Sequence, residues 1–146
     1  MAMQSVSELE ASPEIQDLRG RVTGFIEEFI YPNEPALLKH DEDAGHLMRS
    51  IQAEAKKRGL WALGLPKEIG GGGLGFMPYV FVNELVGRSE FAMAGLGTHS
   101  AQDATMLYLY GSPEQKKRWM IPLVNGDISF AVPSMTAMPV LTNPSA

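Results

Sequence analysis

The 146-residue sequence contains no cysteine. That excludes a disulfide framework, a thiolate nucleophile and any zinc site built on sulfur ligands. It also lacks an apolar run approaching the ~20 residues that span a bilayer, so no membrane segment is expected. A basic, aromatic-rich stripe of the kind that tracks nucleic acid is missing too: 12 Lys and Arg face 17 Asp and Glu, for a net charge of −5. Glu8, Glu10 and Glu14 precede the first arginine, Arg19. Such a start matches neither a secretory signal nor an Arg-rich, acid-poor transit peptide, and a cytoplasmic location is the expectation.

What is present is ordinary globular composition, 45% hydrophobic and 20% charged, patterned with helical period. Ser12-Pro13-Glu14 starts a helix, with Ser at the cap, Pro in the first turn and an acid beside it. Ile15, Leu18, Val22, Phe25, Ile26 and Phe29 then mark one apolar face, and Pro32 and Pro35 end it near Tyr31. A second helix is predicted over 44–58, closed by Lys56, Lys57 and Arg58 and then Gly59. A third spans 77–88 and a fourth 100–110. The fifth opens at Ser112-Pro113-Glu114-Gln115, a capping box, and stops near Asn125-Gly126.

The fold class predicted is all-α, an antiparallel bundle of about five helices. Phe25, Phe29, Ile51, Phe81, Leu85, Leu107 and Trp119 are expected in one core. The helical domain covers residues 12–132, between a flexible amino terminus, 1–11, and an irregular, uncharged tail, 133–146.

Residues 65–76, LPKEIGGGGLGF, place glycine at 70, 71, 72, 73 and 75 and so spell G-x-G-x-x-G. A dinucleotide turn needs a strand before the glycines, a helix starting on them, and an acid about 20 residues later. Here the preceding segment reads as a helix end, and Glu84 and Glu90 come too early. No Lys-Ser/Thr follows, which excludes a P-loop.

His99, Ser100 and Asp103 fail as a hydrolytic trio, because adjacent helical residues point about 100° apart. His99 and Asp103 could share a face, but two ligands do not make a metal site. His40 and His46 flank an acidic run, Asp41-Glu42-Asp43, read as a solvated loop. No paired carboxylates stand out as a general acid and base. Taken from its residues alone, the chain is a helical domain with no catalytic residues of its own.

Two stretches, RGLWALGLPKEIGGGGLGF and GSPEQKKRWMIPLVNGDISFAV, resemble the amino-terminal helical domain of the acyl-CoA dehydrogenases over roughly residues 13–132, in the branch of family members 10 and 11. In that family the Pro-Glu-x-Gly-Gly-x-Gly segment is a loop between helices. The resemblance implies a flavoprotein of fatty acid metabolism that uses FAD to dehydrogenate acyl-CoA thioesters at the α,β bond. This chain corresponds to the helical domain, and the family's catalytic glutamate and most flavin contacts match positions beyond 146.

Phe130 and Val132 match the first flavin-contacting strand, and Pro133 stands where the family has a threonine. The acyl tail is implied to lie against Ala94, Leu96, Gly97, Thr98, His99 and Gln102. The partners implied are acyl-CoA and either further copies of the chain or the missing domains. The chain alone is expected to be inactive. A non-catalytic helical module that binds acyl groups or mediates oligomerisation is the alternative.

Overall fold

Ser12 caps the first helix as its sequence predicts: its Oγ accepts from the Ile15 amide at 3.4 Å, and Pro13 occupies the first turn. A computed structural model of the chain describes residues 12–128. Within them lie α1 (Pro13–Phe25), α2 (Glu34–Leu37), α3 (Glu42–Lys57), α4 (Phe76–Val86), α5 (Glu90–Gly95), α6 (Ala101–Tyr110), α7 (Pro113–Gln115) and α8 (Ile121–Asn125). A π-helical turn, Ile26–Ile30, and a 3₁₀ turn, Tyr31–Asn33, join α1 to α2. A second π turn, Lys116–Met120, joins α7 to α8. Among the described residues there is no β-strand. Residues 1–11, Phe130, Val132 and the segment 133–146 lie outside them.

As expected, the helical run that starts at Pro13 ends near Tyr31, at Pro32 and Pro35. Each sits in the first turn of a new helical segment, where its missing N–H has no intrahelical partner to lose. Both π turns end two residues before a proline, Pro32 and Pro122. A proline cannot donate to the carbonyl four residues back, and the wider turn falls where that bond is absent.

The acidic run read as a loop instead starts α3: Asp41 Oδ1 accepts from the Ala44 amide at 2.8 Å, with Glu42 and Asp43 in the first turn. At the far end Arg58 grips Glu28 at 2.8 Å and Glu54 at 2.8 Å. Near the middle, Ile51 meets Ile30 across Gly95. These contacts hold the carboxyl-terminal half of α3 against the π turn that follows α1. Arg19 of α1 donates to the Phe81 carbonyl and lies 3.2 Å from Glu84, clamping α4 alongside.

The apolar side chains form two clusters, where the sequence predicts one. The first gathers Val22, Phe25, Ile26, Ile30, Leu37, Ile51, Leu60, Val82, Leu85 and Leu96, with Phe29 packed against it. The second holds Ala62, Leu65, Ala104, Met120, Leu123 and Val124, with Leu107 at its margin. Phe81 and Trp119 are half-buried and belong to neither, contrary to expectation. In α4 it is Val82, Leu85 and Val86 that are buried. The run FMPYVFV is apolar all round and carries no stripe to say which face turns inward.

Candidate functional site

The glycine segment 70–73 folds back on residues 62–67. Gly70 donates to the Lys67 carbonyl at 3.0 Å, Gly71 to Pro66 at 3.0 Å, Gly72 to Ala62 at 3.0 Å and Gly73 to Leu65 at 2.8 Å. A phosphate cradle needs backbone N–H groups pointed at the anion. Here four successive amides are engaged by the chain itself, so the loop does not fit a dinucleotide. Gly70 and Gly73 take positive φ, +97° and +70°. Gly71 and Gly72 are required by close approach instead: a Cβ on Gly71 would overlap the Leu65 carbonyl, and one on Gly72 would come within 2.8 Å of the Leu63 Cα. Gly75 has neither constraint.

This packing supports Trp61, a residue that helical periodicity does not single out. Its indole touches both clusters. Nε1 donates to the Val124 carbonyl at 2.8 Å, and the Lys56 ammonium sits 4.6 Å from the ring centroid. Lys56 itself donates to the Asn125 carbonyl at 2.6 Å. Gly97 and Gly126, at φ +71° and +78°, let two loops press on the ring: a Cβ on Gly97 would stand 2.7 Å from Cε2, and one on Gly126 would stand 3.0 Å from Cη2. The neighbouring Ala62 is held at φ +48° by its amide, which donates to Leu96 at 2.8 Å, and by its carbonyl, which accepts from Leu65 and Gly72.

Above the indole lies a cleft of about 170 Å³ lined by Gln52, Trp61, Ala94, Gly97, His99, Ser100, Leu123, Gly126 and Ile128. Three residues singled out from sequence, Ala94, Gly97 and His99, meet there. The other three do not line it. Leu96 is buried in the first cluster. The Thr98 amide and Oγ1 both donate to the Met93 carbonyl, which closes the turn after α5. Gln102 is exposed on α6.

Gln52, which lines the cleft, donates to the Ala94 carbonyl at 3.2 Å. A second cleft of about 320 Å³ opens on the other side of Ala94, between α3 and α5, where Met48 and Phe91 are joined by His40, Asp41, Glu90 and His99. Among the described residues no group of three or more His, Asp or Glu side chains is placed to hold a metal ion. No helix there is long and apolar enough to cross a membrane.

Residues 12–127 match the family model for the acyl-CoA dehydrogenase N-terminal domain. The chain belongs to the acyl-CoA dehydrogenase family. Acyl-CoA dehydrogenase family member 10 of Mus musculus is 34% identical over 129 residues, covering 80% of this chain and 12% of that protein. Family member 11 of the same species is 30% identical over 125 residues, covering 78% of this chain and 16% of that protein. The solved structure of a protein described as an acyl-CoA dehydrogenase, from Mycobacterium abscessus, shares 34% identity with a TM-score of 0.69, over 80% of this chain and 33% of that one. This acyl-CoA dehydrogenase domain thus spans a small part of the length of the relatives it matches.

Proposed function

We propose that the domain supplies the helical wall of an acyl-CoA dehydrogenase site, the wall against which the apolar tail of the thioester lies. The observation that carries this reading is the cleft in which Ala94, Gly97, Leu123 and Ile128 surround a fixed indole. The small side chain at 94 leaves room for methylenes, and the surrounding apolar groups release water as the tail enters. Gln52, Ser100 and exposed His99 are the polar residues that line the cleft.

FAD, which the family implies, is on this reading held by groups outside residues 12–128. The glycine loop, whose amides at 70–73 are engaged by the chain itself, does not fit it. The dehydrogenation of acyl-CoA is a property of the whole protein, and the 146-residue chain is expected to be colourless and without turnover. A second reading, a helical module that self-associates, is favoured by apolar side chains left open on α6 and α4: Met106, Leu109 and Tyr110 on one, and Phe76, Met77 and Val80 on the other.

One preparation tests both. Recording the flavin absorption region, assaying acyl-CoA oxidation with added FAD, and titrating with octanoyl-CoA should give no colour, no turnover and saturable binding. A yellow protein that reduces an electron acceptor would overturn the inactive-alone reading. Elution as a species larger than 15.9 kDa without acyl-CoA binding would favour the association module.

A further inference from the structure

We infer that Trp61 sets the length of acyl chain this domain accepts, by standing as a partition between two clefts; the inference rests on the acyl-binding reading above. On one side of the indole is the cleft of about 170 Å³ at Ala94 and Gly97. On the other is a cleft of about 350 Å³ bounded by Lys56, Gly59, Gly70, Gly71, Gly72 and Asn125. Trp61 lines both.

The ring is held from four directions. Val124 takes its N–H, Lys56 covers its face, and the backbones at Gly97 and Gly126 approach too closely for any side chain. These contacts come from α3, α8 and the turns after α5 and α8, so the indole cannot swing aside without moving several elements. A side chain that only filled the core would be buried on all sides, whereas Trp61 is half-buried and borders open space on two sides. The space beyond it also changes character, from the apolar groups Ala94, Leu123 and Ile128 to an ammonium, a glycine backbone and an amide. An alkyl tail entering past Ala94 therefore gains apolar contact only until its terminal carbon reaches the ring.

Each methylene that becomes buried tightens binding by about fourfold, and one that does not become buried adds almost nothing. Calorimetric titration of the full chain with butanoyl-, hexanoyl-, octanoyl-, dodecanoyl- and hexadecanoyl-CoA should show Kd falling by up to this factor per carbon and then levelling at a break length. In Trp61→Leu the fall should continue to longer chains. An unchanged break length in a Trp61→Leu protein that retains its helical circular dichroism would overturn the partition.

A second measurement leaves Trp61 in place, so it does not depend on that variant folding. In a Trp119→Phe background, acyl-CoA of the break length brominated at the terminal carbon should quench Trp61 emission, and the 2-bromo isomer should not. Binding without terminal-bromine quenching overturns the partition and leaves the acyl reading standing. No saturable binding of any acyl-CoA to the wild-type chain overturns the acyl reading, and the partition with it.

Discussion

Trp61 and Val124, 63 residues apart in sequence, are joined by an indole N–H donated to a backbone carbonyl at 2.8 Å. The bond fastens the segment ahead of the glycines to α8, and the ring above it packs on both apolar clusters. The two tryptophans of the chain should therefore answer very differently to truncation. Trp61→Ala is expected to cost about 3–5 kcal/mol, the range for a large aromatic removed from packed surroundings. Trp119 is half-buried outside both clusters, with Arg118 stacked on its ring at 4.7 Å, and Trp119→Ala should cost about 1 kcal/mol. Urea unfolding curves decide it. Equal losses at the two positions would contradict the two-cluster packing.

The glycine loop separates two reasons for needing glycine. Gly71→Ala puts a methyl into the Leu65 carbonyl, and Gly73→Ala forces an L-residue to φ +70° beside the Lys67 side chain. Both should lower stability, by more than about 1 kcal/mol each. Gly75→Ala meets only Pro78 at 3.8 Å, with ordinary φ, and should be neutral within about 0.5 kcal/mol. Adding ADP should leave the amide NMR resonances of residues 70–73 unmoved in the wild-type protein, because those N–H groups already have partners. Saturable shifts confined to that loop would restore a phosphate role.

Acid should destabilise the domain through its surface carboxylates. A hydrogen bond from Arg88, and then one from Arg19, holds Glu84 below the usual 4.5. Arg58 does the same for Glu54, and for Glu114 the cause is its own backbone N–H followed by Ser112. A carboxylate whose folded pKa is depressed stabilises the fold fully above its unfolded value. That contribution is lost as pH falls through the folded value. The melting temperature should therefore hold steady around neutrality and drop as pH passes below 4.5. Glu84→Gln should flatten part of that drop, and added salt should shrink it, since Glu84 and Glu114 are exposed and Glu54 is half-buried. A melting temperature that rises on acidification would reverse the sign assigned here.

Ser112 closes a reciprocal cap: its Oγ accepts from the Gln115 amide at 3.2 Å, while Gln115 Oε1 accepts from the Ser112 amide at 2.8 Å. Ser112→Ala should cost about 0.5–2 kcal/mol, and Ser112→Asp should restore most of it. Thermal melts of the two variants check this. Loss in both alike would show that the cap contributes nothing specific.

The parts of the fold legible in the sequence are those that rest on local chemistry. Ser12 and Ser112 announce helix starts because a cap is a contact across three residues, and Lys56, Lys57 and Gly59 announce an end for a similar reason. Asp41 is not legible as a cap, because an acidic run looks the same in a solvated loop and in a helix first turn. The six residues of α5, Glu90–Gly95, are too short and too small to display a period. At the site, Ala94, Gly97 and His99 come from the family resemblance, whereas Trp61 is marked by no spacing. Its importance arises from partners 36 and 65 positions away at Gly97 and Gly126, and such contacts leave no trace in local pattern. The one visible hint is its place in an apolar run four residues ahead of a cluster of glycines.

The two clusters also impose an order of assembly as the chain leaves the ribosome. Every buried member of the first cluster lies between Val22 and Leu96, so that unit can close while the following residues are still being made. The second cannot close until Met120, Leu123 and Val124 have emerged to cover Ala62 and Leu65. For the synthesis of roughly two dozen residues, a second or more at ordinary elongation rates, Trp61 stands with one side packed and the other bare. A chain ending at Leu96 and released from the ribosome should thus resist proteolysis through α4 and α5 while remaining open to chaperone capture at the indole.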